Sequence, residues 1–214
     1  MASRSPPPPP AHLERIDLPL VAVNPAELLR LFPLGKSPIH FRVAKRGQKA
    51  YRFDAPNQEF GVMYCAFALE ACFAETLLRT RAYQTPARAY QTPANEPTLI
   101  DEDELRSKGI AQLGGSDAQQ LVLADLTGSG LVRLHADGSI STVARYSVPR
   151  QWALALWKHP KRVDGIRYVS RFMNSQMAVA LFDRCEDRLV ARHTQPLLDH
   201  PELPRILDLF NVGI

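Results

Sequence analysis

Residues 60–79 read FGVMYCAFALEACFAETLLR, and this stretch decides the fold. Its first half, Phe60 to Phe67, is an apolar run of strand length, the pattern of a strand buried on both faces. Its second half, Ala68 to Arg79, has strong helix formers throughout and follows without a turn signal. Tyr64 therefore falls on a strand and Glu75 on the helix behind it. Helical geometry surrounds Glu75 with Ala71, Cys72, Leu78 and Arg79. Most of those neighbours are small or apolar, an awkward setting for an ionised carboxylate unless it faces a cleft that holds a cationic ligand. The plain alternative is an i,i+4 pair of Glu75 with Arg79 at the helix edge.

The flanking sequence predicts a mixture of strands and helices without regular βαβ alternation, so the fold class is α+β. Upstream, Asn24-Pro25-Ala26-Glu27 carries capping signals for a helix that must stop before Pro33. Ile39 to Ala44 reads as a strand carrying Arg42. Downstream, Gln119 to Leu126 and Leu131 to His135 read as strands around Thr127-Gly128-Ser129-Gly130. Ser147 to His159 reads as a helix, Ile166 to Ser170 and Met177 to Asp183 as strands, and Leu203 to Asn211 as a C-terminal helix. Residues 1–23 open with the proline run Pro6 to Pro10 and are expected to form a flexible tail; residues 24–214 form a single domain. RAYQTPA occurs twice in tandem at residues 81–94, a duplication expected to lengthen a surface loop.

A chain of 214 residues fits one compact domain. The sequence holds no run of about 18 apolar residues that would span a membrane, and its first residues lack the apolar core of a signal peptide. Cys65, Cys72 and Cys185 cannot all pair and have no metal-ligand spacing, so they read as reduced, buried thiols of a cytoplasmic protein. Lysine and arginine number 26 against 22 aspartate and glutamate. The basic residues cluster at Arg42–Arg52 and Lys158–Arg171, which suits an anionic partner. Arg42 and Arg52 each adjoin an aromatic residue, and a guanidinium both stacks on rings and binds phosphate through two bonds. Taken singly, Tyr64 is a core tyrosine and Ser170 a hydroxyl at a strand end.

Taken in order, these residues resemble a known family. The run Arg52 to Arg79 resembles the RES domain, with its arginine–aromatic pair, G-[VI]-[LM]-Y-x-A block and A-x-E helix. DGIRYVSRFMNSQMAVALFDR, Asp164 to Arg184, is similar to the family's later block, and Arg42 in Phe41-Arg42-Val43 matches its first arginine. Two departures stand out: Lys49-Ala50-Tyr51 replaces a glycine pair, and the duplication widens the spacing between Glu75 and Ser170. The resemblance implies an ADP-ribosyltransferase-like mixed β-sheet core with flanking helices. It also implies an enzyme that consumes NAD+ as substrate without a metal, acting as the toxin of a toxin–antitoxin pair with an Xre-like antitoxin. By position, Arg42 and Arg52 would hold phosphates and ribose, Tyr64 would pack on the nicotinamide ring, Glu75 would be the key carboxylate, and Ser170 would bond near the nicotinamide ribose. Catalysis would fall to Glu75, Arg52 and Tyr64. Three activities are in view: cleavage of the nicotinamide–ribose bond by water or phosphate, ADP-ribosyl transfer to a protein, and a non-catalytic nucleic-acid-binding module.

Overall fold

The computed structural model describes residues 5–79, 97–115 and 120–214. In chain order the first elements are β1 (Leu20–Val23), β2 (Leu29–Pro33), β3 (Val62–Ala66) and α1 (Leu69–Phe73), which continues as a π turn over Ala74–Leu78. Then come β4 (Thr98–Leu99), α2 (Glu102–Arg106), β5 (Lys108–Gly114), β6 (Leu121–Leu126), α3 (Gly128–Arg133), α4 (Ser139–Thr142) and α5 (Ser147–Lys158). The chain ends with β7 (Gly165–Val169), β8 (Met177–Phe182), β9 (Val190–Pro196), α6 (Leu203–Leu209) and β10 (Val212–Gly213).

Among the described residues, eight strands form one mixed sheet in the order β1-β6-β7-β8-β3-β2-β5-β9. β6 and β7 run parallel, joined by a crossover through α3, α4 and α5, while β1 and β8 flank that pair antiparallel. The fold is therefore α+β, a large mixed sheet with flanking helices. Side chains of the central strands alternate between two cores. Val62, Ala66, Ala178, Ala180 and Phe182 join the helix-side core with Phe53, Phe73 and Trp152. Met63, Cys65, Val179 and Leu181 join the opposite core with Leu28, Leu113 and Leu121. Both faces are thus covered, which is why the β3 and β8 sequences are apolar throughout.

The Asp164-Gly165 pair sets the geometry of β7. Val122 N donates to Asp164 Oδ2 at 2.8 Å, and Arg188 pairs with Oδ1. A Cβ on Gly165 would sit 2.4 Å from the Ala180 carbonyl oxygen, so the close approach of β7 to β8 requires glycine.

Several local expectations are corrected. Asn24 caps as expected, its side chain accepting from Ala26 N at 3.0 Å. The turn it starts is 3-10, ends at Glu27, and gives way to β2, because pairing with β3 and β5 overrides the helical reading of Leu28 to Phe32. The expected strand at Ile39–Ala44 is reduced to one antiparallel bridge, Arg42 to Val62. Leu131 to Arg133 lie in α3, where a crossover must begin, and not in a strand. Nor are the described residues of that segment, 5–23, a free tail. β1 pairs with β6, Leu13 and Leu18 are buried, and Trp152 Nε1 donates to the Pro7 carbonyl at 2.8 Å. The duplicated segment 81–94 lies outside the described residues.

Candidate active site

A cleft of about 390 Å³ opens on the helix side of the sheet between β2, β3 and α1. Its walls include Arg42, Tyr51, Tyr64, Glu75, Arg79 and Tyr168. Glu75 stands on the π turn that follows α1, closed by Arg79 N donating to the Ala74 carbonyl. Such turns are uncommon and concentrate at functional sites. No ion pair forms between Glu75 and Arg79. Instead Ser170 Oγ donates to Glu75 Oε1 at 2.8 Å, and the backbone N–H of Arg171 donates to the same oxygen at 2.8 Å. One carboxylate oxygen is anchored by neutral donors at the end of β7, and the other has no donor among the described residues.

The opposite wall is organised around Asp54, whose side chain is 1% exposed. Arg42 Nη1 donates to Asp54 Oδ2 at 2.7 Å, Tyr51 N donates to the same oxygen at 2.8 Å, and the Tyr64 hydroxyl donates to Oδ1 at 3.1 Å. The Tyr64 hydroxyl also accepts from Phe53 N at 2.9 Å. Burial, reinforced by the neighbouring Asp54 charge, holds the Tyr64 phenol protonated well above its ordinary range. Tyr168, buried against Phe53, is shifted in the same direction by burial and then by Glu75. Tyr51 presents its ring edge to Tyr64 at 6.0 Å between centroids.

Of the residues singled out by sequence, Arg42, Tyr64 and Glu75 meet in the cleft. Ser170, 1% exposed, stands behind Glu75 and does not line the cleft. It acts as a support for the carboxylate, because its proton is committed to Oε1. Arg52 is also displaced from its expected place. Its guanidinium donates from Nη1 to the carbonyls of Ile140 at 3.2 Å and Val143 at 2.9 Å, and lies over the Tyr146 ring. It ties the end of α4 to the core and leaves the cleft wall to others. Asp54, Tyr51 and Arg79 were not singled out. The one sequence signal for Asp54 is a lone acid directly after the aromatic–basic triplet Tyr51-Arg52-Phe53.

A RES domain model matches residues 27–206. The chain belongs to the RES domain family. It is 39% identical over 97 residues to the probable toxin y4kH of Sinorhizobium fredii, covering 45% of this chain and 76% of that relative. Its fold is similar to a chain in the crystal structure of the M. tuberculosis MbcT–MbcA toxin–antitoxin complex, with TM-score 0.56 and 16% identity over 82% of this chain and 84% of that one. In this RES domain the basic clusters are paired internally only in part: Arg167 forms two bonds to Asp125 and Lys161 lies 3.7 Å from Asp17, while Lys45, Arg46, Lys49, Lys158 and Arg162 are exposed. The cysteines are free and buried, and burial pushes the Cys65 thiol up to about 12. Among the described residues no group of three His, Cys, Asp or Glu side chains is arranged to hold a metal, and no helix is long and apolar enough to cross a membrane.

Proposed function

We propose that this RES domain cleaves the nicotinamide–ribose bond of NAD+, and that it is the toxin of a toxin–antitoxin pair. The observation that carries the reading is the Glu75 carboxylate, anchored through Oε1 by Ser170 and Arg171 N and facing an aromatic and cationic cleft. Nicotinamide leaves as a neutral molecule from a positively charged ring, and positive charge develops on the ribose in an oxocarbenium-like transition state. A fixed carboxylate beside that ribose stabilises the charge as it forms, without reorganising. The donors on Oε1 leave Oε2 to bind a ribose hydroxyl or orient the attacking water or phosphate. Tyr64 and Tyr168 supply ring surface for the nicotinamide, and Arg42 supplies charge for the phosphates. Contacts far from the broken bond serve positioning.

The toxin reading draws on the named relative, a probable toxin, and on the structural neighbour, a toxin–antitoxin complex. An antitoxin, Xre-like by the family resemblance, would be the protein partner, and the cytoplasm, where NAD+ is abundant, the place of action. Incubation of the purified protein with NAD+, with and without inorganic phosphate, tests the activity. Nicotinamide release by wild type and its loss in Glu75→Ala are expected. No release under either condition, or full release by the variant, overturns the reading.

A further inference from the structure

Arg42 and Arg79 both face the cleft, and they are held differently. Arg42 is braced by the Asp54 carboxylate and by the Lys49 carbonyl, at 2.7 and 2.5 Å. Arg79 forms no ion pair with a described residue, and its Nε is buried without a hydrogen-bond partner. The Nη groups of Arg79 make no hydrogen bond to a described residue and are not buried, so they are the donors that a ligand oxygen in the cleft can reach. Both guanidinium carbons lie over the same Tyr51 ring, at 4.6 Å from its centroid for Arg42 and 4.3 Å for Arg79. One ring therefore gathers two like charges on a cleft wall, and an anion with two adjacent charged groups relieves their repulsion. The ring is itself fixed, by the Tyr51 N–H on Asp54 and by its edge contact with Tyr64.

We infer that Arg79, paired with Arg42 on the shared Tyr51 ring, is the second diphosphate-binding arginine of the cleft, a place the family resemblance assigns to Arg52. The occupant being a pyridine dinucleotide rests on the NAD+-cleavage reading; the diphosphate itself rests on the arginine geometry. Arg52 gives its Nη1 to two backbone carbonyls and is not among the residues that line the cleft. Arg79 carries the planar fork that matches phosphate oxygens, and its bonding capacity is open. Selection of dinucleotides over phosphate-free nucleosides follows.

Calorimetric titration of the full chain with ADP and with adenosine tests this. ADP binds wild type more tightly than adenosine, and Arg79→Ala weakens ADP by about 10- to 100-fold with adenosine unchanged, the loss expected for a charge-assisted contact. In NAD+ cleavage the same variant lowers kcat/KM, chiefly through a higher KM, while adenosine affinity stays at the wild-type value, a combination that a general loss of structure would not produce. Should the alanine variant unfold by circular dichroism, Arg79→Lys, which keeps the charge but loses the fork, still binds ADP several-fold more weakly than wild type. ADP affinity unchanged in whichever variant folds, or no preference of wild type for ADP over adenosine, overturns the assignment. Arg79-dependent ADP binding without any nicotinamide release keeps the assignment and removes the NAD+-cleavage reading.

Discussion

The two walls of the cleft hold their charges by opposite means. On one, the hydrogen bonds that fix Glu75 come from a hydroxyl and a backbone N–H, both neutral, and the Arg171 guanidinium acts on it through its field. On the other, Arg42 is fixed by the full counter-charge of Asp54, which also orders Tyr51 and Tyr64. The first arrangement suits a group that must stabilise charge appearing in a transition state. The second suits a wall that must keep its shape before any ligand arrives. Under the proposed reading one carboxylate of the site is catalytic and the other architectural, and the charge of the partner distinguishes the two.

The contrast can be broken most forcefully at Glu75. Glu75→Gln keeps the shape and removes the charge, and nicotinamide release is expected to fall on the order of 10²–10³ while thermal unfolding stays near that of wild type. A small loss of rate would place the charge requirement elsewhere. Asp54→Ala should do the reverse. Removal of a buried carboxylate leaves the Arg42, Tyr51 and Tyr64 donors short of their acceptor, and a stability loss of about 2–3 kcal/mol is expected by chemical denaturation. An unfolding midpoint equal to wild type would mean that Asp54 is not the architectural member.

Smaller effects sharpen the same distinction. Ser170→Ala removes one of the two donors on Glu75 Oε1, and a fall in kcat of about tenfold with KM unchanged is expected, the size of a single hydrogen bond. A change confined to KM would instead favour contact of Ser170 with the substrate. The mildest test is spectroscopic. Tyr64 and Tyr168 are raised from an ordinary value of 10.0 by burial. Their contribution to stability is complete below pH 10 and is lost as pH rises beyond that value toward the folded-state values, because the unfolded chain releases those protons first. Ultraviolet difference titration of the native protein should show these phenols resisting ionisation after the exposed ones have titrated. Ordinary titration of every tyrosine would remove the buried-phenol wall.

How much of this was legible in sequence depends on whether the signal was local. β3 and α1 were, because an apolar run followed by helix formers needs no distant partner to be read. Ser147 to Lys158 was legible for the same reason. β2 was not, since a capping signal at Asn24 and a run of leucines suit a helix equally, and only its pairing with β3 and β5 decides. β9 is exposed along most of its length and carries no alternation, so nothing in VARHTQP announces a strand. Arg52 and Arg79 teach the same lesson at the site: Arg52 lies between two aromatic residues in sequence and Arg79 does not, yet their spatial neighbours assign the first to backbone carbonyls and the second to the Tyr51 ring in the cleft.

By itself the sequence determined the α+β class, the strand-to-helix unit at 60–79 and the family, and it marked Arg42, Arg52, Tyr64, Glu75 and Ser170 as candidates. Those rest on residue type and short spacing, which the chain carries from one end to the other. Only the tertiary structure decided that Ser170 supports Glu75, that Asp54 organises the opposite wall, and that Tyr51 gathers Arg42 with Arg79. Hydrogen bonds and ring contacts act over a few ångströms, and residues far apart in the chain come within that range only after the sheet has assembled.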